Sequence, residues 1–161
     1  MEGDGNGWAA GPAGVRVWGR FGAAGLMLLA GSGEDRRVLM QHRAQWTNQG
    51  GTWALPGGAR DSHETAVEAA LREAMEETAV DPSLVEVLYT EVTAGPYPGD
   101  QWTYTTVIAQ TVTGEPLPVD PNEESLELRW VPLGALDTLP LMPAFESALP
   151  GLLQAIHRIS S

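Results

Sequence analysis

Three glutamates, Glu73, Glu76 and Glu77, stand in a stretch free of Pro and Gly that runs from Glu64 to Thr78. At about 100° per residue, a helix there gathers the three side chains within an arc of roughly 100°. Val67, Ala70, Leu71, Ala74 and Thr78 fall on the remaining surface. Like charges one turn apart destabilise a helix by about 0.2–0.5 kcal/mol per pair. The macrodipole also disfavours negative charge toward a helix C-terminus. Carboxylates set against both penalties point to a cationic occupant, and hard oxygen ligands suit Mg²⁺ or Mn²⁺. A solvated acidic face is the plain alternative for any one helix of this kind.

The wider pattern favours the cation. Gly58, Glu64, Arg72, Glu73, Glu76 and Glu77 fill six of the seven fixed positions in G-x5-E-x7-R-E-U-x-E-E-x-G-U, where U is a bulky apolar residue. The stretch from Gly58 to Val80 therefore resembles the Nudix box. Ala74 is smaller than usual at its position, and Ala79 replaces the last glycine. A left-handed residue after a helix favours Gly, so Ala79 costs on the order of 1 kcal/mol there. Leu55-Pro56-Gly57-Gly58 ahead of the box and Trp130-Val131-Pro132-Leu133 downstream are also similar to relatives.

The resemblance implies a Mg²⁺-dependent hydrolase (Mn²⁺ as a substitute) that splits a nucleoside diphosphate linked to a further group. A MutT-like nucleoside triphosphate pyrophosphohydrolase is the leading form. An ADP-ribose or dinucleoside-polyphosphate hydrolase is the alternative within that class, and a catalytically silent nucleotide sensor lies outside it. The same resemblance implies that Glu73 and Glu77 are metal ligands, joined by the Gly57 carbonyl. Glu76 is a ligand or a proton acceptor. Arg72 orients a box glutamate, Gly58 permits close approach, and Glu64 supports the loop, touches a further metal or serves helix electrostatics. Glu124, six positions before Trp130, is the candidate general base, with Glu123 and Glu127 behind it. Pro96 and Tyr97 carry opposing substrate hints and select neither alternative.

Substrate contacts are read from residue type alone. Trp46, Trp53, Tyr97 and Trp102 can stack on a base, and Arg43 can pair with a phosphate. Each has an ordinary structural role as its alternative.

These groups need a scaffold. The 161 residues are 43% hydrophobic and 19% charged, the mix of a globular protein. Cysteine and lysine are both absent, which excludes thiolate nucleophiles, Cys-based zinc sites and Schiff-base chemistry. A formal charge of −12 repels phosphate polymers, so the expected partner is a small nucleotide and not a nucleic acid. The longest apolar run, Gly22–Ala30, is too short to span a bilayer, and no basic-then-apolar leader begins the chain. A cytoplasmic location is the default expectation, and a homodimer is left open.

Residues 1–14 are expected to form a flexible leader or loosely docked arm, with a single domain over 15–161. Strands are expected at Val15–Trp18, Ala23–Ala30, Arg37–Arg43, Trp53–Leu55, Leu84–Thr93, Trp102–Thr113 and Leu126–Val131. Pro56-Gly57-Gly58 reads as a break. Ser62 or Asp61 is the expected cap of the acidic helix, and a second helix is expected over 143–159. The pattern is an α+β fold, an αβα sandwich around a mixed sheet, as the Nudix resemblance also implies.

Overall fold

In a computed structural model of the chain, residues 3–47 and 50–160 are described. The strands are β1 (Trp8–Ala10), β2 (Arg16–Trp18), β3 (Ala23–Ala30), β4 (Arg37–Arg43), β5 (Trp53–Ala54), β6 (Gly57–Ala59), β7 (Val85–Tyr97), β8 (Trp102–Thr111) and β9 (Ser125–Pro132). The helices are α1 (Ala66–Thr78) and α2 (Pro143–Ser160), with short 3-10 turns between elements.

β3 lies at the centre, and every one of its residues is buried, as its unbroken apolar run requires. Its side chains alternate between two cores. Met27 and Leu29 join Val38, Met40, Ile108 and the apolar face of α2. Leu26 and Leu28 join Leu39, Val107 and the small face of α1, where Ala69, Ala70 and Ala74 let helix and sheet approach closely. The result is the expected αβα sandwich. Its sheet is mixed: β3 runs parallel to β8, while the β3–β4, β7–β8 and β4–β9 pairings are antiparallel.

On its other edge β3 is shared. Its end pairs with β4 at Leu29 and Ala30, whereas its start pairs with β6, Ala23 to Gly25 facing Ala59 to Gly57. The presumed break at Pro56-Gly57-Gly58 is thus partly a strand. Glycines fit there because a Cβ on Gly57 would lie 2.4 Å from the Ala24 carbonyl oxygen.

Two further expectations are corrected. The acidic helix starts at Ala66, not Glu64, and its cap is Thr65, not Ser62 or Asp61. Thr65 and Glu68 form a reciprocal capping box, while Ser62 and Asp61 are bonded to the N-terminal arm. Of the two readings of the N-terminal segment, flexible leader or docked arm, the residues from Gly3 on take the second: β1 pairs with β2 as a hairpin. β7 also continues to Tyr97, through register shifts, beyond the end expected at Thr93. Pro150 lies inside α2 without dividing it. No described helix is long and apolar enough to cross a membrane, which leaves β-barrels unaddressed.

Candidate active site

The last turns of α1 face the paired glycines of β6. A Cβ on Gly58 would sit 2.6 Å from the Glu73 carboxyl carbon, so only glycine admits Glu73 there. The Gly57 N–H donates to Glu77 Oε1 at 3.1 Å. Glu77 is only 3% exposed, and Glu73 has a side chain 15% exposed. Glu76 points outward, its side chain 50% exposed. At the helix end Ala79 is left-handed, φ 64° and ψ 18°, with its N–H bonded to the Met75 carbonyl. The strained geometry expected of that position is present without its usual glycine.

Arg72 organises the carboxylates. Its Nε donates to Glu64 Oε2 at 2.6 Å and Nη2 to Glu64 Oε1 at 2.9 Å, a bidentate pair. Nη2 also donates to the Ala59 carbonyl at 3.0 Å, and Nη1 reaches Glu73 Oε1 at 3.0 Å and Glu76 at 3.4 Å. Glu64 is therefore a loop clamp placed before the helix, and it also accepts the Asp61 N–H at 3.0 Å. Asp61, His63 and Glu64 have ligand atoms within 4.8 Å of one another. The carboxylates of that trio are already engaged by Arg72 and by backbone N–H groups, which leaves little for a cation.

The electrostatics separate these acids. The Arg72 bond holds Glu64 below the usual carboxylate range. Burial pushes Glu73 up, with the Arg72 cation opposing it. Burial pushes Glu77 well above its ordinary value, and the charges of Glu73 and Glu124 push it further. The Glu73 and Glu77 carboxylates lie close enough for each to act on the other's ionisation. Two neighbouring buried carboxylates repel unless a proton removes one charge or a divalent cation balances both. An all-oxygen donor set of this kind fits Mg²⁺ or Mn²⁺.

A cavity of about 820 Å³ opens over these groups. Gly57, Gly58, Arg72, Glu73, Glu76, Glu77 and Glu124 all line it, as do Arg43 and Tyr97. Glu124 is brought in by the loop before β9, where Asn122 folds against the end of α1 and the Glu124 carbonyl accepts the Ala44 N–H at 2.9 Å. Trp53 belongs elsewhere. It is 4% exposed in the α2-side core, its ring stacked on His42 at 4.5 Å with the Arg129 guanidinium 4.7 Å from its centroid. It offers no face to a base. Trp46 is 68% exposed and stands apart from the described cavity lining. Tyr97 stacks on Trp102 at 5.7 Å, and both line the cavity.

Sequence reasoning missed Tyr104. Its phenol occupies the space over Gly25, where a Cβ would come within 1.9 Å of the hydroxyl oxygen. Burial and the Glu77 charge push its acidity down, so it stays a neutral phenol. Only the alternation of β8 could have flagged it, and alternation alone does not distinguish cavity from core.

Comparison with known proteins gives the family. The NUDIX domain description matches residues 19–151. The chain belongs to the Nudix family. It is 50% identical over 151 residues to a Mycobacterium tuberculosis protein named "Putative 8-oxo-dGTP diphosphatase 3", covering 92% of this chain and 69% of that one. The crystal structure of a Nudix hydrolase from M. smegmatis, RenU, superposes with a TM-score of 0.90 at 49% identity, covering 96% and 97% of the two chains. A C. elegans Ap4A hydrolase shares the fold, with a TM-score of 0.66 at 19% identity over 84% of this chain and 98% of that one. This Nudix protein is a pyrophosphohydrolase acting on nucleoside diphosphate derivatives.

Proposed function

We propose that this Nudix enzyme is a Mg²⁺-dependent, MutT-type nucleoside triphosphate pyrophosphohydrolase. The observation that carries the reading is the buried Glu73–Glu77 pair beneath the glycine backbone of β6. The M. tuberculosis relative, named for 8-oxo-dGTP, favours a triphosphate among the Nudix substrate classes.

Glu73 and Glu77, with the Gly57 carbonyl and with Glu76 at the rim, would hold the ion. Bound there, a divalent cation supplies positive charge against the phosphate oxygens and makes water a better nucleophile. Arg72 fixes the Glu73 carboxylate and shares its charge with Glu76, a positioning role. Glu124 lines the same cavity and is the group assigned to accept the proton of the attacking water. Arg43 lines the same cavity as a candidate phosphate contact. The net charge of −12 disfavours a polymeric nucleic acid.

The test is a panel of nucleoside triphosphates, oxidised nucleotides, ADP-ribose and dinucleoside polyphosphates, each with Mg²⁺ or Mn²⁺ and with products identified. The expected result is a nucleoside monophosphate and pyrophosphate from a triphosphate, abolished by EDTA and restored by excess Mg²⁺. Turnover confined to ADP-ribose or to dinucleoside polyphosphates overturns the triphosphate assignment. Inactivity on the whole panel favours a nucleotide sensor.

A further inference from the structure

The N-terminal hairpin precedes the span that matches the family, yet it forms one wall of the active-site cavity. Its register pairs Ala9 with Val17 and Trp8 with Trp18, so the two faces of the hairpin differ. Trp8 and Trp18 are largely exposed and meet edge to face, with Arg16 against Trp8, and Trp18 and Arg16 also border the cavity. Ala9 and Val17 face inward and pack with Ala23, Ala94, Tyr97, Trp102 and Tyr104. All of these except Ala9 line the cavity.

The hairpin is fastened at several points. Trp102 Nε1 donates to the Trp18 carbonyl at 3.2 Å, and the Ala10 N–H to Asp100 Oδ2 at 2.8 Å. The Gly5 N–H donates to Asp61 Oδ1 at 2.9 Å, and the Asp4 carboxylate receives both the N–H and the hydroxyl of Ser62. The arm is thereby joined to the loop that Glu64 and Arg72 organise. The cavity has two chemically distinct ends, with Tyr104 between them: it packs with Val17 and also feels the charge of Glu77.

We propose that the β1–β2 hairpin is the nucleobase-side wall of this cavity, with Val17 and the Tyr97–Trp102 ring pair receiving a planar heteroaromatic base. The glutamate end then takes the phosphates. An apolar, ring-lined end beside a polar, charged one is what an amphipathic nucleotide requires. The inference rests on the nucleotide reading above.

A nucleoside monophosphate carrying a photoreactive azide on its base tests this on the unaltered protein, with labelled peptides mapped by mass spectrometry. Saturable labelling within residues 12–18, displaced by unmodified nucleotide, is the expected result. Labelling that avoids them, or none while the enzyme turns over nucleotides, overturns the wall alone. Neither labelling nor turnover with any nucleotide overturns the nucleotide reading as well. Val17→Trp, which fills the apolar end, is expected to raise KM about tenfold or more. Its kcat and half-saturating Mg²⁺ concentration should stay within about twofold. An unchanged KM in a folded Val17→Trp protein also overturns the wall.

Discussion

Glu64 and Glu77 are both buried carboxylates of the same box, and the protein treats them oppositely. Glu64 receives a bidentate arginine and a backbone N–H, and its acidity is enhanced. Glu77 receives one backbone N–H and faces two other acids, and its acidity is suppressed. The first is a finished interaction that holds a loop. The second is unfinished until something positive arrives. Buried charges need partners, and of these two carboxylates it is Glu77 whose partner the fold leaves to come from outside.

The largest expected effect separates the two directly. Glu77→Gln should lower turnover on the order of a hundredfold or more while the metal-free protein melts no earlier than wild type. Glu73→Gln should behave alike. Near-normal turnover in both variants would refute the ligand assignment. Arg72→Ala attacks the finished side, stranding Glu64 in a buried setting. Urea titration should show a loss of about 2–4 kcal/mol, and Arg72→Lys should recover little because it lacks the planar fork.

The contrast should also be visible in pH. A raised carboxylate pKa in the folded state favours folding below the ordinary value and loses that contribution as pH rises through the folded one. Metal-free wild type should therefore melt higher as pH falls toward the ordinary carboxylate value, and Glu77→Gln should flatten that limb. Glu64 has the opposite sign: its contribution disappears as pH falls through its depressed value, so stability should drop under more acidic conditions. Melting curves with excess Mg²⁺ should lack the alkaline decline. A decline of equal size with and without the ion would break the comparison. The smallest effect belongs to the helix end, where Ala79→Gly should add roughly 0.5–1 kcal/mol by relieving a left-handed alanine.

The glutamates were legible because chemistry constrained their spacing, and Ala23–Ala30 because a strand buried on both faces admits little but apolar residues. The role of Glu64 was only half visible, since nothing in spacing distinguishes a helix-end charge from an arginine clamp. The helix start was misplaced because Asp61 and Ser62, good caps by type, are occupied by the distant Asp4 and Gly5. Trp53 was misjudged for a similar reason: a large ring serves core and ligand equally, and only its neighbours decide. The hairpin of β1 and β2 was hidden by its Gly-rich composition, because its order comes from tertiary contacts with Asp100, Trp102 and Asp61 and not from local propensity.

The parallel ladder of β3 with β8, in which Ala23 lies opposite Tyr104, has a bearing on biosynthesis. A ribosome delivers the apolar central strand and the acidic helix long before the strand that seals their flank. During that interval the nascent chain carries an open sheet edge of Leu and Met residues, the kind of surface on which polypeptides self-associate. Pairing of β8 closes it once that strand has left the ribosome, and a chaperone that shields bare strands until then is expected to improve the yield of this enzyme.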